Sequence, residues 1–287
     1  MGVALAPAKI NLTLEVLGRR DDGYHTLRSV MVPIGLVDRI EFERNEAGLV
    51  VEAPDEIGVE NLVSRALAAA GATGLNVRLT KNIPIGGGLG GGSSDAAAIL
   101  RAAMSGKLGA VACDDWLRAA RDLGSDVPFF LTGTAALVEG TGERVTPLGA
   151  LPAWWVVVVR PRAAVSTAEA YRLLDEARAG GAVPSRPRNE SASLRAVDAL
   201  QRKDFAALQR DLTNDFHIPI VHAFGEIARA DAALRSAAGS ALLSGSGSCL
   251  FALLQDETAA RAAAARVDRA SCDGIFVVPF EQGDAWK

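Results

Sequence analysis

GGGLGGGSSDAAAIL, residues 86–100, places six glycines in seven positions and then turns into alanines. Glycine loses more backbone freedom on folding than any other residue, so such a run implies that backbone must come close to something. The preceding segment, LNVRLTKNIPI (75–85), sets Leu75, Val77 and Leu79 on one side and predicts a strand. The following one predicts a helix through DAAAILRAAM, capped by Ser93 or Ser94. Strand, glycine loop and helix N-terminus in succession suit an anion, because the first helical amides are unpaired and the helix dipole favours negative charge. Side chains would hold a polyphosphate away from the backbone, and glycines remove them. The plainer alternative is a flexible loop with an ordinary helix cap, in which Asp95 is a first-turn residue.

Two other phosphate loops fit less well. G-x-x-x-x-G-K-[ST] needs a lysine, and none follows these glycines. Gly86, Gly88 and Gly91 satisfy G-x-G-x-x-G, but a dinucleotide site also needs an acidic residue ending a second strand about twenty residues on. That region is the helical CDDWLRAARDLG, ending at Gly124.

Outward from the loop, LTLEVLG (12–18) and DRIEFER (38–44) alternate as half-buried strands, and NLVSRALAAA (61–70) predicts a helix stopped by Gly71. VTPLGALPAW is rich in turn residues and leads into the apolar strand WVVVVR, which divides the chain into domains at 1–150 and 151–287. The second half predicts a helix over AEAYRLLDEARA, a surface loop at 179–191, helices at 192–212 and 219–238, and a glycine turn feeding a strand in LLSGSGSCLFALL (242–254). The fold class is α+β, with strands and helices in both halves.

Composition narrows the function. A formal net charge of −4 over 287 residues leaves no basic surplus for nucleic acid. Cys113, Cys249 and Cys272 share no short spacing, and His217 and His222 are five apart, so neither a zinc site nor a disulfide framework is expected. No apolar run has the length of a membrane span, and the N-terminus lacks a signal-peptide core. The expectation is a soluble, cytoplasmic protein with no membrane, nucleic-acid or obligate protein partner.

Single residues decide little. Lys9, in APAKINLTL, is a solvated strand residue or a partner for phosphate or carboxylate. Asp126, in LGSDVPFF, is a turn or helix-cap residue or something more. Tyr24 and His25 are packed side chains, or a ring and a hydrogen-bonding edge for a flat heterocycle.

Taken together, PAKINLTLEVLGRRDDGYHTLRSVM (7–31), PIGGGLGGGSSDAAA (84–98) and LLSGSGSCLF (242–251) resemble, in order, the motifs of the GHMP kinases. The first, with LGSDVPFFL (123–131) and VSTAEAYRLL (165–174), resembles the branch whose alcohol substrate carries a cytidine diphosphate. The resemblance runs from about residue 6 to 254. It implies a two-domain GHMP kinase fold, an N-terminal αβ domain and a ferredoxin-like C-terminal domain with the active site in the cleft between them. It implies ATP-dependent phosphorylation of the 2-hydroxyl of a methylerythritol bearing cytidine diphosphate, in the non-mevalonate isoprenoid route, with Mg²⁺.

The same resemblance assigns Lys9 and Asp126 as the catalytic pair. Gly86, Gly87, Gly88, Leu89, Gly90, Gly91, Gly92, Ser93 and Ser94 form the ATP phosphate loop, with Asn61 near adenine and Ser94 a possible metal ligand. Asn11, Tyr24, His25, Thr167 and Tyr171 hold the cytidine diphosphate; Tyr24 and Tyr171 sandwich cytosine and His25 reads its edge. Two readings stay beside it, a kinase for another small alcohol and a non-catalytic nucleotide-binding relative.

Overall fold

The computed structural model describes residues 2–21, 23–46, 48–54, 61–109, 111–181, 183 and 191–281. Its frame is a pair of long antiparallel strands, β1 (Gly2–Arg19) and β2 (His25–Arg44). The alternating stretches 12–18 and 38–44 are only parts of them. The rest was hidden because β1 is buried without a break from Ala6 to Val16. A strand covered on both faces loses the apolar–polar alternation that marks a half-buried one. Register shifts after Pro7, Asn11 and Val16 let so long a pair bend.

β3 (Val50–Glu52) and β4 (Leu75–Thr80) extend the sheet beyond one half of β2. β5 (Ala135–Gly140) and β6 (Arg144–Gly149) extend it beyond the other half. β4 stops at Thr80, shorter than the expected 75–85, because Asp38 Oδ1 takes the amides of Asn82 and Ile83 at 2.5 and 2.8 Å and turns the chain. Four helices cover this sheet. α1 (Leu62–Ala70) starts on Asn61, whose Oδ1 accepts from the amides of Val63 and Ser64, and stops at Gly71 in the left-handed region, as its sequence predicts. α2 (Gly91–Met104), α3 (Trp116–Leu123) and α4 (Val127–Thr132) follow.

The second sheet runs β11 (Gly274–Pro279), β7 (Trp155–Arg160), β10 (Leu250–Leu254), β9 (Leu242–Leu243), all antiparallel. The helices between β7 and β9, together with α10 (Glu257–Arg266) between β10 and β11, make the strand order 4-1-3-2 of a ferredoxin-like unit. Val156 and Val158 of β7 face the core shared with Ile10, Leu12 and Val32. Val157 and Val159 face α5 (Thr167–Ala179) and its neighbours. The two sheets thus share one interior. The chain also crosses back, since β8 (Thr213–Asn214) pairs in parallel with β1.

Both long helices expected in the second half are broken. The first is α6 (Ala192–Gln201) and α7 (Phe205–Asp211), separated by Lys203 at φ 55 and restarted by the Asp204 cap. The second is α8 (His217–Ala223) and α9 (Gly225–Ala238), interrupted at Phe224 in extended backbone. Most of the expected loop at 179–191 lies outside the described residues.

Candidate active site

Lys9 and Asn11 lie two apart on β1 and therefore on one face of it. The Lys9 ammonium, 4 % exposed, donates to Asn11 Oδ1 at 2.6 Å and stands 3.7 Å from Asp126 Oδ2, an ion pair rather than a close hydrogen bond. Burial lowers the Lys9 pKa, and the Asp126 charge opposes that shift. Asn11 is fixed from behind: its Nδ2 donates to Ser29 Oγ at 2.8 Å, and Ser29 Oγ donates to the Thr13 carbonyl at 2.6 Å. Asp126 occupies the cap position of α4 but makes no capping hydrogen bond. Its carboxylate, 34 % exposed, is left to Lys9 and to open space.

The glycine loop is more than an open cradle. Gly86 has φ +70 and nothing within 4 Å of a would-be Cβ, so there the chain does leave room. At Gly88 (φ +73) a Cβ would stand 2.1 Å from the Ser244 carbonyl, and at Gly90 (φ +71) it would meet Phe130 at 2.9 Å and Lys9 Cγ at 3.1 Å. Part of the run therefore exists to dock a second loop, residues 244–249, against the first. Ser244 Oγ donates to the Gly88 carbonyl at 3.0 Å, the Cys249 amide to the Gly87 carbonyl at 3.1 Å and the Gly245 amide to Asn11 Oδ1 at 2.9 Å. The Lys9 amide in turn donates to the Leu89 carbonyl at 2.9 Å.

Neither Ser93 nor Ser94 caps α2. The cap is Gly90, left-handed and without a side chain, and the Ser94 amide already bonds the Gly90 carbonyl at 2.9 Å. The amides of Gly91, Gly92 and Ser93 precede the first intrahelical bond and carry the positive end of the dipole. Ser94 Oγ is buried with no partner among the described residues.

Asp95 is the fifth residue of α2, not part of its first turn. Its Oδ2 accepts from Lys81 Nζ at 2.7 Å, and Lys81 also pairs with the fully buried Asp38. Two carboxylates against one ammonium, out of water, push the Asp95 carboxyl up to about 7, with burial the largest cause. No local pattern marks this cluster, whose members lie 43 and 14 residues apart.

Three hollows join end to end. The first, about 480 Å³, is walled by the glycine loop, Asn61, Leu62, Lys81, Pro84 and Asp95. The second, about 430 Å³, shares Gly86, Gly88 and Gly90 with the first and holds Lys9, Asn11 and Asp126. The third, about 1010 Å³, shares Leu27, Ser125, Thr141, Thr167 and Tyr171 with the second and adds Tyr24 and His25. Every residue expected at the site except Ser94 lines one of the three.

Tyr171 stacks on His25, ring centroids 4.4 Å apart at 18°, and meets Phe216 edge-on at 4.9 Å. His25 Nε2 lies 3.1 Å from Asp175 Oδ1, and Tyr24 is 67 % exposed. The stack is favoured because each ring covers apolar area of the other. Burial and the nearby Asp126 and Asp175 charges push the Tyr171 phenol up to about 12. Thr167, the first residue of α5, has its hydroxyl 3.3 Å from that of Ser246. Tyr24 and His25 come to the outer hollow from the first half of the chain, Thr167 and Tyr171 from the second. The local pattern of LLSGSGSCLF predicts a turn feeding a strand, and beyond its place among the family motifs its Gly–Ser composition is the sign of a second loop at the site. Among the described residues no group of three or more His, Cys, Asp or Glu side chains could hold a metal ion.

The chain matches the family models for the GHMP kinases N terminal domain over residues 59–134 and GHMP kinases C terminal over 196–274. It is 43 % identical over 264 residues to the 4-diphosphocytidyl-2-C-methyl-D-erythritol kinase of Symbiobacterium thermophilum, covering 88 % of this chain and 90 % of that one. It is 42 % identical over 276 residues to the protein of the same name from Pelotomaculum thermopropionicum, covering 93 % of each. A crystal structure of 4-(cytidine 5′-diphospho)-2C-methyl-D-erythritol kinase superposes with a TM-score of 0.78 at 35 % identity, over 98 % of this chain and all of the other. An L. major mevalonate kinase in complex with R-mevalonate shares the fold at a TM-score of 0.71 and 17 % identity, over 98 % of this chain and 96 % of that one. On this likeness over nearly its whole length, the chain belongs to the GHMP kinase family, in the branch of the 4-diphosphocytidyl-2-C-methyl-D-erythritol kinases.

Proposed function

We propose that this protein transfers the γ-phosphoryl group of ATP to the 2-hydroxyl of 4-diphosphocytidyl-2-C-methyl-D-erythritol, giving the 2-phosphate and ADP, in the non-mevalonate route to isoprenoid precursors. The observation that carries the reading is the row of three joined hollows with Lys9 and Asp126 in the middle one. ATP occupies the first, with its phosphates on the Gly86–Ser93 amides and its base toward Asn61. The polyol lies in the second and the cytidine in the third, against His25 and Tyr171.

Phosphoryl transfer leaves the protein mainly positioning and charge stabilisation to supply. The substrate oxygen forms its bond to the γ-phosphorus as the bond to the β-bridging oxygen breaks, and the hydroxyl proton passes to Asp126. A tertiary alcohol is a poor acid, so the proton leaves late. Lys9, anchored by Asn11, orients Asp126 and offsets the charge that grows on the attacking oxygen. The amides at the start of α2 hold the phosphate that becomes the leaving group.

Magnesium fits the donors present only if the nucleotide supplies most of them. The Ser94 hydroxyl, buried without a partner among the described residues, is the protein group we assign to it, and it would have to turn toward the first hollow, which it does not line. When bound, the ion neutralises phosphate charge. The two domains are taken as 1–150 and 151–287, since the backbone leaves the larger sheet at Gly149 and joins the smaller at Trp155. A cytoplasmic site of action accords with the three free cysteines and with ATP as co-substrate.

The test is ATP-dependent turnover by the purified protein of the cytidine compound beside mevalonate, homoserine and galactose. Turnover of the cytidine compound alone supports the reading. Turnover of another alcohol instead would keep a kinase and remove the cytidine site, and ATP binding without any turnover would leave a nucleotide-binding relative.

A further inference from the structure

Six arginine, histidine, aspartate or glutamate side chains face the outer hollow: Arg19, His25, Arg121, Glu143, Arg172 and Asp175. Most are already committed. Arg172 is held at both ends, by Glu169 at 2.6 Å and Glu176 at 2.5 Å, and Asp175 is engaged by His25. Glu143 accepts from the amide and hydroxyl of Thr141 at 2.6 and 2.8 Å. Arg19 folds back on its own turn, its Nε donating to the Gly23 carbonyl at 3.3 Å. In the middle hollow the one lysine, Lys9, is taken by Asn11 and Asp126.

Arg121 stands apart. It lies in the last turn of α3, five residues before Asp126, its side chain is exposed to the hollow, and it has no hydrogen bond or ion pair among the described residues. A diphosphate that joins a base in the outer hollow to an alcohol in the middle one has to pass between them. In a chain of net charge −4 it needs a local cation. Guanidinium is the side chain best shaped for phosphate oxygens, which it meets two at a time.

We propose that Arg121 binds the diphosphate of the alcohol substrate and so sets its affinity, selecting a nucleoside diphosphate ester over an alcohol without one. This rests on the assignment of the cytidine-bearing substrate above. Lysine at this position would keep the charge but lose the fork.

The experiment is steady-state kinetics of the wild type, Arg121→Ala, Arg121→Lys and Arg19→Ala with 4-diphosphocytidyl-2-C-methylerythritol and ATP, with calorimetric binding of cytidine and CDP to each. Arg121→Ala is expected to raise KM for the cytidine substrate about 10-fold or more, the scale of one lost charge-assisted contact. The kcat at saturation and KM for ATP stay within about twofold on the same reasoning, because the contact is made equally in ground and transition states. Arg121→Lys recovers part of the loss. CDP binding weakens far more than cytidine binding.

An unchanged KM in Arg121→Ala, equal losses for cytidine and CDP, or the effect appearing in Arg19→Ala instead would each overturn the proposal. So would a fall in Tm alone, which is what a cation acting only on the end of α3 produces. The substrate assignment fails separately, when the wild type does not turn the compound over. Arg121-dependent CDP binding would then still uphold the contact, and wild-type protein that does not bind CDP would sink both.

Discussion

Two alanine substitutions in the glycine run separate its two reasons for being glycine. At Gly88 a methyl group would sit 2.1 Å from the Ser244 carbonyl, closer than atoms can approach, with the backbone at φ +73. The left-handed conformation costs a non-glycine residue about 1–2 kcal/mol, and forcing the docked loop aside adds about 1–3 kcal/mol. Gly88→Ala should therefore lose about 2–5 kcal/mol, a large part of the stability of a typical protein. At Gly86 the φ is +70 but the space is empty. Its strain is partly offset by about 0.4–1 kcal/mol of lost freedom in the unfolded chain, so Gly86→Ala should cost about 1 kcal/mol or less. At roughly 2–4 °C per kcal/mol for a chain of this size, thermal melting should show a fall of about 4–20 °C for Gly88→Ala and only a few degrees for Gly86→Ala. The kinetics invert that order in specificity: Gly86→Ala raises KM for ATP, because its methyl group enters the space the phosphates use, while the protein stays folded. Equal losses of Tm in the two variants, or an unchanged KM for ATP in Gly86→Ala, would refute the division of roles.

Three further outcomes follow from the site. Asp126→Asn removes the proton acceptor, and kcat should fall by about 10²–10⁴-fold with KM for ATP little changed. Asn61→Ala deprives the Val63 and Ser64 amides of their acceptor and should cost about 1 kcal/mol by melting, while Asn61→Ser, another good cap, keeps most of it. The Asp95 carboxyl, pushed up to about 7, holds its proton in the folded protein at pH values where the unfolded chain has released it. Its contribution therefore becomes less favourable as pH rises from about 4 to 7 and stays so above that. Asp95→Asn cannot ionise, so its Tm relative to wild type should improve between pH 5 and pH 8; a difference that does not move with pH would contradict the burial argument.

Local signals were legible where one residue enforces one geometry. Asn61 and Gly71 bracket α1 because an Asx cap and a left-handed stop are written in single positions. The Gly86–Gly92 run announced a tight loop, but not what it was tight against, since its partner Ser244 lies 156 residues away from Gly88. The same distance in sequence hid the Asp38–Lys81–Asp95 cluster. Burial on both faces erased the alternation of β1, and the break between α6 and α7 was concealed by an apolar spacing that continues across it. Lys9 and Asp126 were visible only through the company of their motifs. Each alone reads as a strand residue and a cap, and only the fold brings the ammonium and carboxylate to 3.7 Å.

The most direct test of the central claim is phosphorus NMR of the reaction of the purified protein with ATP and 4-diphosphocytidyl-2-C-methyl-D-erythritol. The three joined hollows predict one new phosphomonoester on the 2-hydroxyl, formed in step with ADP, with the cytidine diphosphate resonances intact and the signal absent in Asp126→Asn. ADP appearing with inorganic phosphate alone, or a monoester on a different hydroxyl, would contradict the placement of the alcohol beside Lys9 and Asp126.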